Sequence, residues 1–309
     1  MFWKLPALGK ISKIGIRPPQ AAPGRSGVAI ALIVKNEARH VAEWAAFHLA
    51  AGVRQFLVYD NGSSDGTIDI LRETLPADAL IVVPWRQIFS DARMGREIHN
   101  QVLAYAHAAS NFGGDLRWMA FIDADEFLVP KQAASIPEAL GHLGDARNLS
   151  LPWHMFGRSG HVEPPEGGVV RNYLRRARDP MSDVRGVRAF KCIVDPCHLT
   201  ALRVHSMETD GSGRTCNDRG VVVEERERDK PGFYSADHLQ LNHYYTRSES
   251  ELAAKIGRGP NLAAKMGEYE RKVRRTVANI EADEAEDRAA LDYLERIGPE
   301  CVGAARTGG

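Results

Sequence analysis

The sequence predicts an α/β fold: a mostly parallel open sheet flanked by helices, an α+β second half, and a C-terminal amphipathic helix. Three observations carry this. From Val28 to Phe127, short apolar runs of strand length alternate with segments of helical period, the pattern of right-handed βαβ units. After about residue 145, glycines, prolines and short strands take over up to about residue 245. Leu262, Met266, Tyr269, Val273, Val277 and Ile280 then mark one face of a helix.

Taken in order, Pro18, Pro19, Pro23, Gly24 and Gly27 form a linker, so that ordered structure is expected to begin at Val28. The run Val28-Ala29-Ile30-Ala31-Leu32-Ile33-Val34 has no polar alternation, as in a strand buried on both faces. A helix follows with Val41, Trp44, Ala45 and Leu49 on one face and a stop at Gly52. Gln55 to Tyr59 is a second strand, ended by the turn-rich Asp60-Asn61-Gly62-Ser63-Ser64-Asp65-Gly66-Thr67. A short helix to Leu75 leads to a third strand, Leu80 to Val83. Met94, Ile98, Val102, Tyr105 and Ala109 then predict one long helix. Trp118 to Ile122 is a fourth strand, running into Asp123-Ala124-Asp125-Glu126-Phe127. The division expected is a basic arm over 1–26, a main domain over 27–260, and a C-terminal helix and tail over 261–309.

The chain has 309 residues, 44% hydrophobic and 26% charged, with 40 Lys+Arg against 40 Asp+Glu. That is a globular composition, and the neutral balance argues against sequence-independent binding of nucleic acid. Cys192, Cys197, Cys216 and Cys301 show no metal or disulfide spacing and are expected to be reduced thiols of a cytoplasmic protein. No stretch approaches the ~20 apolar residues of a membrane span. From Met1 to Asn36 there is no acidic residue, while Lys4, Lys10, Lys13, Arg17, Arg25 and Lys35 are basic, with Phe2, Trp3 and Leu5 among them. Such an arm suits peripheral contact with the inner face of an anionic membrane, or is simply a tail before the first strand.

In open parallel sheets, ligands bind outside the carboxyl ends of the strands. Lys35-Asn36-Glu37, Asp60-Asn61-Gly62 and Asp123-Ala124-Asp125 all fall at such ends and are expected to converge on one crevice. Asp123 and Asp125, leaving the pleat, can both reach it. Paired carboxylates suit Mg²⁺ or Mn²⁺, which keep coordination positions open for substrate phosphates. The alternative is a strand-terminal turn without metal. Glu126 is read as structural, a third carboxylate that must be tied down. The cations Arg171, Arg175, Arg176, Arg178, Arg185, Arg188 and Lys191 form either a basic wall beside the crevice or a solvated face. Glu281 to Asp287 reads as a solvated acidic face.

The ordered set Lys35-Asn36-Glu37, Glu43-Trp44, His48, Gly52-Val53, Tyr59 to Thr67 and Asp123 to Phe127 resembles the family 2-like and family 92 (DUF23-type) glycosyltransferases of the GT-A fold. Trp153 with Phe156-Gly157, Lys191-x-Ile193-Val194-x-Pro196, Val204-His205-Ser206, and His243-Tyr244 through Lys255 continue the resemblance, which spans roughly residues 27 to 260. It implies a metal-dependent transfer of a sugar from a nucleotide-diphosphate sugar, a UDP-sugar being favoured, to a glycan or lipid-linked acceptor in surface polysaccharide synthesis. The resemblance assigns donor binding to Val34, Asn36, Asp60, Asp123, Lys191, Arg247, Lys255 and Arg258. Metal ligation falls to Asp123, Asp125 and His243, with His205 as the alternative histidine, a hydrogen-bonded structural imidazole being the other reading of either. By their place after an apolar strand, Trp153 and His154 either stack on a sugar ring or pack in the core. The family 2 Glu-Asp pair has no clear counterpart here, so the catalytic base is open among Asp183, Asp195, Glu208 and Asp237, and an inverting outcome rests on resemblance. Two other readings share the fold: a nucleotidyltransferase or nucleotide-sugar hydrolase, and a non-catalytic binding scaffold. Lys35-Asn36-Glu37 is not the Gly-rich basic loop a nucleotidyltransferase needs, and Phe127 stands where an Asp-x-Asp-x-Thr phosphohydrolase needs Thr.

Overall fold

A computed structural model describes residues 9–258 and 266–298. The run Val28–Val34 is the inner strand of a sheet that contains twelve strands among the described residues. It pairs in parallel with Val53–Asp60 on one side and with Trp118–Phe121 on the other, and Leu80–Pro84 pairs in parallel outside Val53–Asp60. The chain therefore moves outward twice from Val28–Val34, then crosses back to place Trp118–Phe121 on its other flank. That reversal is the topological switch point, where open parallel sheets place their ligand crevice.

Side-chain parity explains the unbroken apolar run. Ile30, Leu32 and Val34 enter a core with Trp44, Phe56 and Val58, beneath the helix Ala38–Ala50. Ala29 and Ala31 face the opposite core with Leu57, Tyr59 and Tyr105, beneath the helix Asn100–Phe112. Both faces are dry, so no polar alternation survives in the sequence.

Beyond Trp118–Phe121 the sheet turns mixed. Phe190–Val194 pairs antiparallel with it and with Asn148–Phe156. Glu126–Pro130 pairs antiparallel with Leu239–Tyr244, which runs parallel to Asn148–Phe156. The α+β half thus continues the sheet beyond Trp118–Phe121. Among the described residues no helix is long and apolar enough to cross a membrane.

Four expectations are corrected. The stripe from Met94 does not extend the helix, which starts at Asn100; Met94 is exposed on a turn. Order begins before Val28: Ile14–Gly15 pairs with Leu199–Leu202, Ile16 packs on the second core, and Arg25 is held by Asp195 at 2.6 Å. Residues 1–8, with Phe2, Trp3, Lys4 and Leu5, lie outside the described residues, as do Leu262 and Cys301. The acidic stretch Glu281–Asp287 is not a solvated face. Glu281 pairs with Arg158, Asp283 with Arg178 and Asp287 with Arg176, and Glu284–Glu286 forms a strand against Arg175–Ala177. The helix Ala289–Ile297, not foreseen, follows and buries Tyr293 and Leu294 against the main core.

Candidate active site

The site is built where the chain leaves Trp118–Phe121. Backbone pairing fixes its central contact: Glu126 stands opposite His243 in the antiparallel ladder, and the Tyr244 N–H donates to the Asp125 carbonyl at 2.9 Å. The Asp125 Oδ2 consequently lies 3.4 Å from His243 Nε2 and 3.9 Å from Lys255 Nζ. Burial alone would raise the pKa of Asp125; His243, Lys255 and Arg247 outweigh it and hold the carboxyl well below the usual range.

Asp123 is engaged differently. Its Oδ2 accepts from Lys191 Nζ at 2.8 Å and its Oδ1 from Gln101 Nε2 at 2.7 Å. Lys191 is 1% exposed and also lies 3.7 Å from Glu126 Oε2. Burial pushes the Lys191 pKa down, but Asp123 and Glu126 outweigh it and raise it, so the ammonium is kept. Glu126 is fully buried, and burial raises its carboxyl well above the ordinary value. Its Oε2 accepts the Asp123 N–H at 2.9 Å, the structural role expected of it.

The motif residues upstream prove to be scaffold for this turn. Trp44 donates its indole N–H to the Glu126 carbonyl at 2.8 Å. His48, buried, donates from Nδ1 to the Trp44 carbonyl at 2.9 Å and accepts the Leu128 N–H on Nε2 at 3.1 Å. Burial pushes its pKa down to about 3, which keeps the ring neutral and the acceptor available. Glu43 accepts the N–H groups of Val169 and Val170, starting the short helix Val169–Asn172.

The first strand end is closed by loop hydrogen bonds. Buried Val34 accepts the Asn61 N–H at 2.9 Å through its carbonyl. Asn36, at φ 57°, accepts the Ser64 N–H at 2.9 Å, and Asp60 accepts the Ser63 N–H at 2.8 Å. Gly62, at φ 81°, leaves no room for a Cβ because the Arg86 guanidinium lies over it. Arg86 is thus a cation at the crevice that sequence reasoning missed; no motif marks it.

From the second half, Trp153 stands between the two candidate histidines, its ring 4.4 Å from His243 and 5.3 Å from His205. The Trp153 Nε1 and the His243 Nδ1 are buried without a hydrogen-bond partner. His205 donates from Nδ1 to the Phe190 carbonyl at 3.0 Å, and burial next to Lys191 lowers its pKa to about 4. His154 is drawn away from the crevice, hydrogen-bonded to the Tyr234 hydroxyl at 3.0 Å. Arg247, at φ 56°, reaches Glu37 Oε2 at 3.5 Å, while its Nε is buried without a partner. Lys255 donates to the Tyr245 carbonyl at 2.6 Å and sits over that ring. Arg258 closes the helix Glu249–Arg258, but its side chain lies outside the description.

The structure separates the four candidate bases. Asp195 lies at the opposite end of the sheet, buried between Arg25 and Arg117 beside the start of Trp118–Phe121, so it is no base for this crevice. Glu208 pairs with Lys13 on the small three-stranded sheet, and Asp237 pairs with Arg219 on an exposed turn. Asp183 is exposed on the segment leading into Phe190–Val194 from the crevice end. The basic stretch is no open wall either: Arg175, Arg176, Arg178 and Arg188 face Glu284, Asp287, Asp283 and Asp229.

No group of three His, Cys, Asp or Glu among the described residues converges as a metal cage. Each Asp123 oxygen accepts one hydrogen bond, from Lys191 or from Gln101, and keeps further acceptor capacity. Asp125 and His243 do fit a divalent ion as an O,N pair: their facing atoms stand at the separation of two ligands on one centre. Such a pair leaves the other positions open to phosphate oxygens.

A model of glycosyltransferase family 92 matches residues 27–270. The chain belongs to glycosyltransferase family 92. A family 92 protein of Ricinus communis is 27% identical over 205 residues, covering 63% of this chain and 34% of that protein. One of Oryza sativa is 28% identical over 161 residues, covering 49% of this chain and 25% of that protein. The chain therefore spans about a third or less of the curated relatives it matches. Among solved structures, a glucosyl-3-phosphoglycerate synthase of Mycobacterium tuberculosis, in complex with Mn²⁺, UDP-glucose and phosphoglyceric acid, is 18% identical. It covers 56% of this chain and 57% of its own, at a TM-score of 0.30. A mannosyl-3-phosphoglycerate synthase of Rubrobacter xylanophilus is 18% identical, covering 56% of each chain, at a TM-score of 0.26.

Proposed function

We propose that this family 92 member transfers a sugar from a nucleotide-diphosphate sugar, UDP-sugars being favoured, to a hydroxyl of a glycan or lipid-linked acceptor. The observation that carries the reading is the Asp125–His243 pair at the sheet switch point, with Lys255 and Arg247 beside it. Carboxylate, imidazole and two cations around one opening match a diphosphate that gains charge as it leaves. Asp125 and His243 would hold Mn²⁺ or Mg²⁺, whose bound charge would offset that of the departing diphosphate. Lys255 and Arg247 bind phosphate oxygens, while Asn36 and Asp60 line the nucleoside end. Lys191 orients Asp123 through its hydrogen bond.

In an inverting transfer the acceptor oxygen forms its bond to the anomeric carbon as the carbon–phosphate oxygen bond breaks. The hydroxyl proton passes to a base, and Asp183, exposed on the segment that leads into Phe190–Val194, is the candidate put to the test. Asp183→Asn is expected to lower kcat by about 10²–10⁴ and to leave nucleotide binding unchanged; an unaltered kcat removes Asp183 from the role.

The donor half is tested by thermal stabilisation with UDP, GDP, CMP and their sugar conjugates, each with Mn²⁺, Mg²⁺ or EDTA. A ligand at a hundredfold excess over Kd adds about 2.7 kcal/mol. We expect a shift for one nucleotide class that needs the metal and is lost in Asp125→Ala. A shift that survives EDTA and Asp125→Ala would refute the metal-dependent reading.

A further inference from the structure

The loop 85–99 leaves the carboxyl end of the edge strand Leu80–Pro84 and carries the largest apolar exposure near the crevice. Ile88 is 75% exposed, Met94 57% and Phe89 49%. These side chains are held out by a built turn. The Asp91 carboxylate accepts the Met94 N–H at 2.6 Å, and the Gly95 N–H donates to the Asp91 carbonyl at 2.8 Å, with Gly95 at φ 63°. The Asp91 N–H donates to the Arg96 carbonyl and the Ile98 N–H to the Phe89 carbonyl, each at 2.8 Å, closing a hairpin beneath the tip. A soluble surface gains nothing from fixing three large apolar side chains in water.

The N-terminal segment joins the same surface. Arg96 donates to the Gly9 carbonyl at 2.9 Å, the Ile11 N–H to the Glu97 carbonyl at 2.8 Å, and the His99 N–H to the Ile11 carbonyl at 2.9 Å. The sequence before Gly9, outside the described residues, carries Phe2, Trp3, Lys4, Leu5 and Leu8. Over residues 9–17 and 85–99, Lys10, Lys13, Arg17, Arg86, Arg93 and Arg96 outnumber Asp91 and Glu97, although Lys10 is paired with Glu97, Lys13 with Glu208, and Arg86 lies over Gly62. Exposed aliphatic and aromatic groups set among cations match a surface that is apolar inside and anionic at its headgroups.

We infer that loop 85–99 and residues 9–17 form a docking surface for an anionic lipid bilayer. Both feet of the loop stand in the crevice: the Trp85 N–H donates to the Asp60 carbonyl at 2.7 Å, and Gln101 holds Asp123. Docking there sets the crevice mouth at the headgroup layer, where a lipid-linked acceptor presents its sugar. The acceptor class rests on the transferase reading; the docking surface does not.

The test is co-sedimentation of the full chain with vesicles of phosphatidylcholine alone and of equal parts phosphatidylcholine and phosphatidylglycerol. A combined Ile88→Asp, Phe89→Asp and Met94→Asp variant is run beside it, its fold checked by thermal unfolding. The expected result is binding to the anionic vesicles only, weakened by salt, and reduced by at least roughly tenfold in the variant. No binding to either vesicle overturns the inference, as does equal binding by the variant. A self-association that the variant abolishes, without vesicle binding, assigns the patch to a protein interface and also overturns it. Vesicle binding without any nucleotide-induced stabilisation leaves the docking surface standing and removes the transferase reading.

Discussion

At the scale of single residues, the site depends on groups that never touch its ligands. His48 enters the sequence reading only as one of the residues that carry the family resemblance, and in the fold it fastens Leu128 to Trp44 through both ring nitrogens. An unfolded imidazole titrates near ~6.5, whereas burial holds folded His48 near about 3. Below pH ~6.5 the unfolded chain therefore binds a proton that the folded chain refuses. Stability is complete above that value and falls as the pH drops, by about 2 kcal/mol for His48 alone at about pH 5. His154, also lowered to about 3, adds in the same direction. Thermal unfolding between about pH 5 and pH 8 should show this fall, and His48→Gln should flatten it while costing about 1–3 kcal/mol at neutral pH. A pH slope identical in the variant would show that His48 is not the buried group that titrates. Asp123 and Asp125 were legible as a pair because two carboxylates interrupt a buried apolar strand. Their division of labour was not, because it is set by Lys191, Gln101 and His243, which lie far away in sequence.

Among elements, the legible ones bury both faces or carry strong punctuation. Val28–Val34 and its neighbours declared themselves by apolar runs, and the crevice by polar clusters at their ends. The helix at Asn100 was misjudged because Met94 and Ile98 continue its spacing, whereas local chemistry at Asp91, Met94 and Gly95 makes a turn instead. The seven cations from Arg171 to Lys191 and the acids from Glu281 to Asp287 were each read alone. Opposite charges separated by that much chain leave no periodic trace, and the strand pairing of Arg175–Ala177 with Glu284–Glu286 brings them together. Glu43 illustrates the same long reach, since it starts a helix at Val169. Gly168, at φ 84°, offers a Cβ only 2.5 Å from Glu43 Oε1, whereas Gly167, at φ 91°, meets its nearest neighbour at 3.6 Å. Gly168→Ala should therefore cost about 2 kcal/mol more than Gly167→Ala in urea unfolding, strain being common to both. Equal midpoints would show that Glu43 yields without loss.

For the whole molecule, two cores share one sheet, and the N-terminal segment is part of the second. Ile14 and Ile16 pack there, and Arg25 helps to neutralise the buried Asp195 with Arg117. Composition marked this segment as a basic arm and did not reveal the packing, because its isoleucines find their partners only after Leu199–Leu202 has folded back. Removing residues 1–17 should lower the melting temperature by roughly 5 °C, since about 2–4 °C accompanies each kcal/mol in a chain of this size. An unchanged melting point would mean that the segment is an ornament of the fold.

The backbone ladder that aligns Glu126 with His243 also fixes when the site can first exist. On the ribosome, Asp125 emerges early, with the parallel strands that support it, and waits through the whole of the second half for its imidazole. Until Tyr244 has cleared the exit tunnel and Leu239–Tyr244 has slotted between Glu126–Pro130 and Asn148–Phe156, the nascent chain carries the Asp125 carboxylate without its imidazole. The Asp125–His243 pair is thus a mark of a second half that has finished folding.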